Sequence, residues 1–316
     1  MTSDNNTIDV NQYLDAKPLN AEQAFSAESA RANAEKLEAE LDLPETQMYQ
    51  ERALEVDGPN GTIPLRIYWP RKLERDEKLP IVLFIHGGAW VFCSMDTHEN
   101  MFRYLCNKGD VIGVNVGYRL APEHKFPQGI EDCYAALEWI ETNAEALGAD
   151  RDKICVGGDS AGGNISAVLA LLARDRKGPD LSAQLLFYPS TSLGVLPRHP
   201  SYDEQSPEER AVTEKEAEVL AEQYLNDHSE ITDFRVSPIL ADSHSGLPKT
   251  LIITGQIDPV RDDGFFYGEK LAESGVEIDY KCYEGAPHAF MSLAGGIPLG
   301  YEALNYTASF LQKLRG

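Results

Sequence analysis

The chain is 316 residues long, 42% hydrophobic and 25% charged, with a formal net charge of -23 and a pI near 4.6. That length suits one large α/β unit with a sizeable core, and the composition is that of a globular protein. So acidic a surface repels phosphate backbones and anionic headgroups, which argues against nucleic acid and membranes as partners.

The chain starts without a basic stretch and an apolar core, so it does not read as a secretory signal. No apolar run is long enough to cross a bilayer. Over residues 21–41 alanine and glutamate dominate, Leu37 and Leu41 share a face, and Pro44 stops the run, so a helix is expected. It belongs to no strand–helix alternation, which makes residues 1–48 a tail or an N-terminal cap segment. Residues 50–56 and 62–69 are β-rich and flank the turn cluster Asp57-Gly58-Pro59-Asn60-Gly61, which predicts a hairpin.

Six short apolar runs follow, at 81–85, 111–116, 154–156, 184–188, 250–254 and 278–283, too short and too β-branched for buried helices. Helical patterns alternate with them at about 99–107, 129–143, 161–174, 263–274 and 301–314. Such alternation predicts an α/β fold, a mostly parallel central sheet with helices on both faces. The hairpin adds antiparallel strands at one edge. Residues 190–240 break the pattern: they hold Pro197, Pro200 and Pro207, then a helical run at 213–226. An insertion there, beyond the sheet's carboxyl edge, pairs with the N-terminal helix to make a small helical cap over a catalytic domain of residues 49–316.

Cys93, Cys106, Cys133, Cys155 and Cys282 are odd in number, and no two have metal-ligand spacing. They read as free thiols, most of them buried, in a reducing, cytoplasmic setting.

The chemistry centres on Gly158-Asp159-Ser160-Ala161-Gly162, between an apolar run and a helical one. A sharp strand-to-helix turn projects a serine hydroxyl above a sheet, and flanking glycines let the backbone pass close to itself. By composition alone, this pattern arises in roughly one chain of this length in ten, so its context decides. His86-Gly87-Gly88-Ala89-Trp90 follows the first central strand, where glycine amides and that of Ala161 would meet an oxyanion. His86 itself is expected to fix that loop. His288 and Asp258 follow the last two apolar runs, at carboxyl strand ends where catalytic groups gather. The order Ser160, Asp258, His288 is that of α/β-hydrolases. His98, His124, His199, His228 and His244 are less well placed and read as structural or solvated. Asp262 and Asp263, rivals to Asp258, fall at a helix start, and Asp159 is expected to anchor its loop.

These residues carry a family resemblance. The blocks His86-Gly-Gly-Ala-Trp90, Tyr118-Arg-Leu-Ala-Pro-Glu123, Gly158-Asp-Ser-Ala-Gly-Gly-Asn164 and Asp258-Pro-Val-Arg-Asp-Asp-Gly264, with Pro287-His288, stand in order. From about Leu65 to the C-terminus the chain resembles the hormone-sensitive lipase family of α/β-hydrolases, its bacterial carboxylesterases in particular. The resemblance implies the α/β-hydrolase fold, Ser160 as nucleophile with Asp258 and His288, and Gly87, Gly88 and Ala161 as the oxyanion hole. Ala89 stands where many members have a third glycine.

The expected activity is therefore hydrolysis of short- to medium-chain acyl esters, a small-molecule substrate, with no metal or cofactor. Trp90 and Phe290 are expected to bind substrate, with Met291, Leu193 and Val195 as further lining residues. A ligand receptor on the same fold is an alternative that lacks the histidine present here as His288. A peptidase or lactonase using the same triad is another. The family's habit of pairing through the last strand and helix makes a homodimer plausible.

Overall fold

Strand–helix alternation governs the chain from Leu79 onward. The computed structural model describes residues 26–194, 200–204 and 214–315. In chain order its main elements are α1 (Ala27–Leu41), β1 (Gln50–Gly58), β2 (Gly61–Trp69), β3 (Leu79–Ile85), α2 (Glu99–Gly109), β4 (Ile112–Val116), α3 (Gln128–Leu147), β5 (Ala149–Asp159) and α4 (Ala161–Arg176). Then come β6 (Ala183–Phe187), α5 (Pro200–Asp203), α6 (Glu214–Tyr224), β7 (Lys249–Ile257), α7 (Arg261–Glu273), β8 (Ile278–Pro287) and α8 (Pro298–Lys313).

The strands form one sheet in the order β1-β2-β4-β3-β5-β6-β7-β8. The β1–β2 and β2–β4 pairs are antiparallel and all later pairs are parallel. The hairpin thus sits at one edge, and its turn shrinks to Pro59-Asn60 between the paired Gly58 and Gly61. Gly61 takes φ +131, open only to a residue without Cβ.

Burial on both faces follows from the period of two. Ile81, Leu83 and Ile85 of β3 pack with Leu137 and Ile140 of α3 and Ile165 of α4. Val82 and Phe84 pack on the opposite face with Phe102 of α2 and Leu304 of α8. β5 starts earlier than its apolar run because its strand residues Asp150 to Lys153 lie toward the surface and carry no apolar signal. β8 likewise runs on through Gly285 to Pro287. Three of the five cysteines are buried, Cys93 is half-buried, and Cys282 is exposed.

α1 begins at the Ser26 cap, whose hydroxyl accepts from the Ser29 amide at 3.2 Å. Ala30, Ala34, Leu37, Glu38 and Leu41 form its buried stripe. A glutamate in an otherwise apolar stripe is costly unless it has a purpose. Arg31, on the flank, forks onto Glu123 at 2.8 and 2.6 Å and also donates to Val91 O and Ala121 O. Residues 21–25 of the predicted helix lie outside the described residues.

Between β6 and β7 the described residues contain helices and 3-10 turns but no strand. Leu220, Tyr224 and Leu225 seat α6 in the same cluster as Trp90 and Phe126. Val195, His199 and the first residue of the predicted 213–226 helix fall outside the described residues. Among the described residues no helix is long and apolar enough to cross a membrane.

Candidate active site

Ser160, Asp258 and His288 are each the first residue beyond a strand: β5, β7 and β8 respectively. His86 holds the same place after β3. Parallel pairing puts these carboxyl ends side by side, so residues far apart in sequence share one rim.

The turn at Ser160 is tight. Its φ of 51° and ψ of -114° lie where an L-residue is strained. A Cβ on Gly158 would lie 2.3 Å from Ile85 O, and one on Gly162 would lie 1.9 Å from the same oxygen. Both glycines are therefore needed for the elbow to close against the end of β3.

His288 Nε2 is 2.9 Å from Ser160 Oγ, and its Nδ1 is 2.8 Å from Asp258 Oδ2. An ionised carboxylate only accepts, so Nδ1 carries the proton and Nε2 is left to accept from the serine. Asp258 is fully buried, and its Oδ1 accepts from the Val260 amide at 2.9 Å. Burial by itself lowers the pKa of His288, yet the charge and hydrogen bond of Asp258 hold it above the ordinary imidazole value. The rivals to Asp258 are engaged elsewhere. Asp263 accepts from the Thr191 and Ser192 amides at 2.7 and 2.9 Å, and Asp262 from the Ser201 amide at 2.9 Å.

The loop after β3 departs from expectation at Gly87. Its amide donates to Asp159 Oδ1 at 2.8 Å and is not free for an oxyanion. The amides of Gly88, Ala89 and Ala161 make no hydrogen bond among the described residues. Gly88, Ala89 and Trp90 all have left-handed backbone, at φ 100, 51 and 61. At Gly88 a Cβ would lie 2.1 Å from Phe92 O, so this glycine is obligatory.

Asp159 does anchor the loop, with a partner that sequence reasoning passed over. His98 Nε2 lies 3.2 Å from Asp159 Oδ2, and His98 Nδ1 is 2.8 Å from Thr97 Oγ1. Burial opposes a charge on His98, but Asp159 and Glu38 raise its pKa to about 9. His86 is buried, stacks on Tyr118 at 4.5 Å, and receives the Tyr118 hydroxyl on its carbonyl at 3.0 Å. Burial and the neighbouring His98 lower its pKa to about 4, so it is a neutral scaffold group. No spacing in the chain links His98 to Asp159, and only the fold brings them together.

The expected substrate contacts fare unevenly. Phe290 is fully buried between Tyr188 and Tyr283, with ring centroids 5.7 and 5.5 Å away, and Met291 is fully buried too. Both are core residues behind His288: an apolar residue beside a site histidine backs it as readily as it lines the cleft. Trp90 is 5% exposed and stacks on Tyr224 of α6 at 4.4 Å and 9°. It ties the loop to the inserted segment more than it faces solvent. Leu193 packs partly buried against the same cluster. His124 and His244 bond Gln128 and the Pro238 carbonyl, away from Ser160.

A protein-family profile described as alpha/beta hydrolase fold matches residues 82–292. The chain is 38% identical over 296 residues to carboxylesterase NlhH of Mycobacterium tuberculosis, covering 92% of this chain and 90% of the relative. It is 34% identical over 256 residues to an arylesterase of Saccharolobus solfataricus, covering 79% of each. Among solved structures, a hyperthermophilic esterase from Pyrobaculum calidifontis superposes with a TM-score of 0.88 at 34% identity, covering 96% of this chain and 97% of that one.

Proposed function

We propose, for a chain that belongs to the hormone-sensitive lipase family of α/β-hydrolases and is a carboxylic-ester hydrolase, that Ser160 carries the reaction through an acyl-enzyme. The observation behind this reading is the hydrogen-bonded chain from Ser160 Oγ through His288 to Asp258, at 2.9 and 2.8 Å.

Ser160 Oγ attacks the ester carbonyl as His288 Nε2 takes its proton. The carbonyl oxygen becomes an oxyanion and settles on the amides of Gly88, Ala89 and Ala161. Gly87 keeps the loop in place through Asp159. His288 then hands the proton to the leaving alcohol. Water, activated by the same imidazole, releases the acid and restores Ser160. Asp258 fixes the tautomer and stabilises the imidazolium. None of these steps calls on a metal or cofactor.

The preferred substrates are short- to medium-chain acyl esters. α1 and the segment before β7 cap the rim, the latter tied to the loop after β3 by the Trp90–Tyr224 stack, and such a cap limits the length of acyl chain that fits. β8 lies at the sheet's edge with no further strand beside it among the described residues, and a homodimer through this edge is part of the same reading, to be checked by sizing chromatography.

A fluorophosphonate probe should label Ser160, and Ser160→Ala should lower kcat by about 10⁴-fold or more. Full esterase activity in that variant would refute the assignment. A rate profile over nitrophenyl esters from acetyl to dodecanoyl tests the chain-length reading, and a preference for the longest would refute it.

A further inference from the structure

Glu38 comes from α1, while Cys93 and His98 come from the loop between β3 and α2. Their ligand atoms all lie within 4.8 Å of one another. We propose that Glu38, Cys93 and His98 form a binding site for a zinc-class divalent cation, clamping α1 to the loop beside the active site.

The donor set is a carboxylate, a thiol and an imidazole, the combination that suits Zn²⁺ and its neighbours. His98 is already oriented as a metal-ligating histidine would be. Its Nε2–H points to the Asp159 carboxylate, which leaves Nδ1 for the cation. The Thr97 hydroxyl now pairs with Nδ1 at 2.8 Å. It also donates to Ser94 O at 3.0 Å, so it keeps a partner when Nδ1 changes hands.

Glu38 supplies the independent observation. It is 6% exposed, and its Oε2 is buried with no hydrogen-bond partner among the described residues. An orphaned carboxylate oxygen in a dry setting is expensive.

Access comes from outside. Cys93 also walls a cavity of ≈ 410 Å³ lined by Arg31, Glu35, Ser94 and Glu123. Water entering there would fill the fourth position of a tetrahedral ion. On binding, bonds form from the metal to sulfur, nitrogen and oxygen. The Cys93 thiol, His98 Nδ1 and protonated Glu38 release their protons to solvent, so affinity rises with pH.

The full chain, stripped with a chelator, should be titrated with zinc chloride by calorimetry and with Co²⁺ by absorbance. The expected result is one zinc ion per chain and a near-ultraviolet thiolate-to-cobalt charge-transfer band. Cys93→Ser should abolish the band, and Cys93→Ser and Glu38→Gln should each weaken zinc binding at least tenfold. Both variants should keep the wild-type circular dichroism and esterase rate, which shows that they are folded. No zinc uptake by the wild type, or the same uptake and affinity in both variants, overturns the proposal. The readout is metal binding, so it stands or falls apart from the assignment of Ser160.

Discussion

The carboxylate of Asp159, one residue before Ser160, accepts a hydrogen bond from the Gly87 amide at 2.8 Å. This contact joins the elbow after β5 to the loop after β3, so the proposed nucleophile and oxyanion donors are set by the same side chain. Asp159 Oδ1 serves Gly87, and both carboxylate oxygens lie 3.2 Å from His98 Nε2. Asparagine keeps one acceptor oxygen, but it loses the charge that pairs with His98 and turns an amide N–H donor toward the imidazole N–H. Asp159→Asn should therefore loosen the loop and lower kcat by about 10–10²-fold, short of the roughly 10²–10³ lost with an oxyanion donor itself. Steady-state kinetics with an acetyl ester should show the loss in kcat with KM little changed. An unaltered kcat would mean that the loop holds its shape without Asp159.

On the proposed assignment, Asp258 sets where activity should fail in acid. Ester attack needs neutral His288, and burial, which lowers its pKa, is outweighed by Asp258, which raises it. As pH falls through that raised pKa the imidazole protonates, so kcat/KM should drop at a higher pH than an ordinary histidine would give. Asp258→Asn should shift this acid limb to lower pH and cut kcat by about 10⁴-fold. A pH–rate profile checks both, and an acid limb left in place would argue against direct coupling.

Glu38 links pH to stability in the metal-free protein. Burial raises its pKa from 4.5 to about 7, against the opposing pull of His98. A folded pKa above the unfolded one means that the fold gains from protonation. That gain is fully present below about 4.5 and is lost as pH rises to about 7. Glu38→Gln should therefore stabilise the protein at pH 8 by up to roughly 3 kcal/mol, offset in part because His98 loses an anionic neighbour. Urea unfolding in the presence of chelator at about pH 4.5 and pH 8 should show the gain only at the higher value. Destabilisation at pH 8 would contradict this account.

Trp90 and Tyr224 carry the contact between the loop after β3 and the segment before β7. Their rings stack at 4.4 Å and 9°. Tyr224→Ala should cost about 3–5 kcal/mol and broaden the range of acyl chains accepted. The buried Tyr224 hydroxyl has no hydrogen-bond partner among the described residues. Tyr224→Phe should then be neutral or slightly stabilising. Thermal melts and the acyl-length profile of both variants provide the comparison.

Much of this architecture is written locally. Apolar runs of three to six residues alternating with helical patterns require a parallel sheet, because no other layering buries both. The glycines at 158 and 162 and the placement of Asp258 and His288 after strands already imply a nucleophile, an acid and a base. Such signals survive in sequence because a strand end and its following residue are contiguous in the chain.

What the sequence did not determine depends on groups that meet only across elements. The diversion of the Gly87 amide to Asp159, the pairing of Asp159 with His98, and the meeting of Glu38 with Cys93 and His98 join α1, β5 and the loop after β3. Phe290 reads equally well as cleft or core until Tyr188 and Tyr283 close around it. Periodicity reports which face of an element is apolar, and it is silent on which polar groups from other elements will be buried against that face. The sequence by itself determined the sheet and the order of Ser160, Asp258 and His288. Only the tertiary structure decided which amides are free and which buried charges face one another, because desolvation and hydrogen bonding act through space and not along the chain.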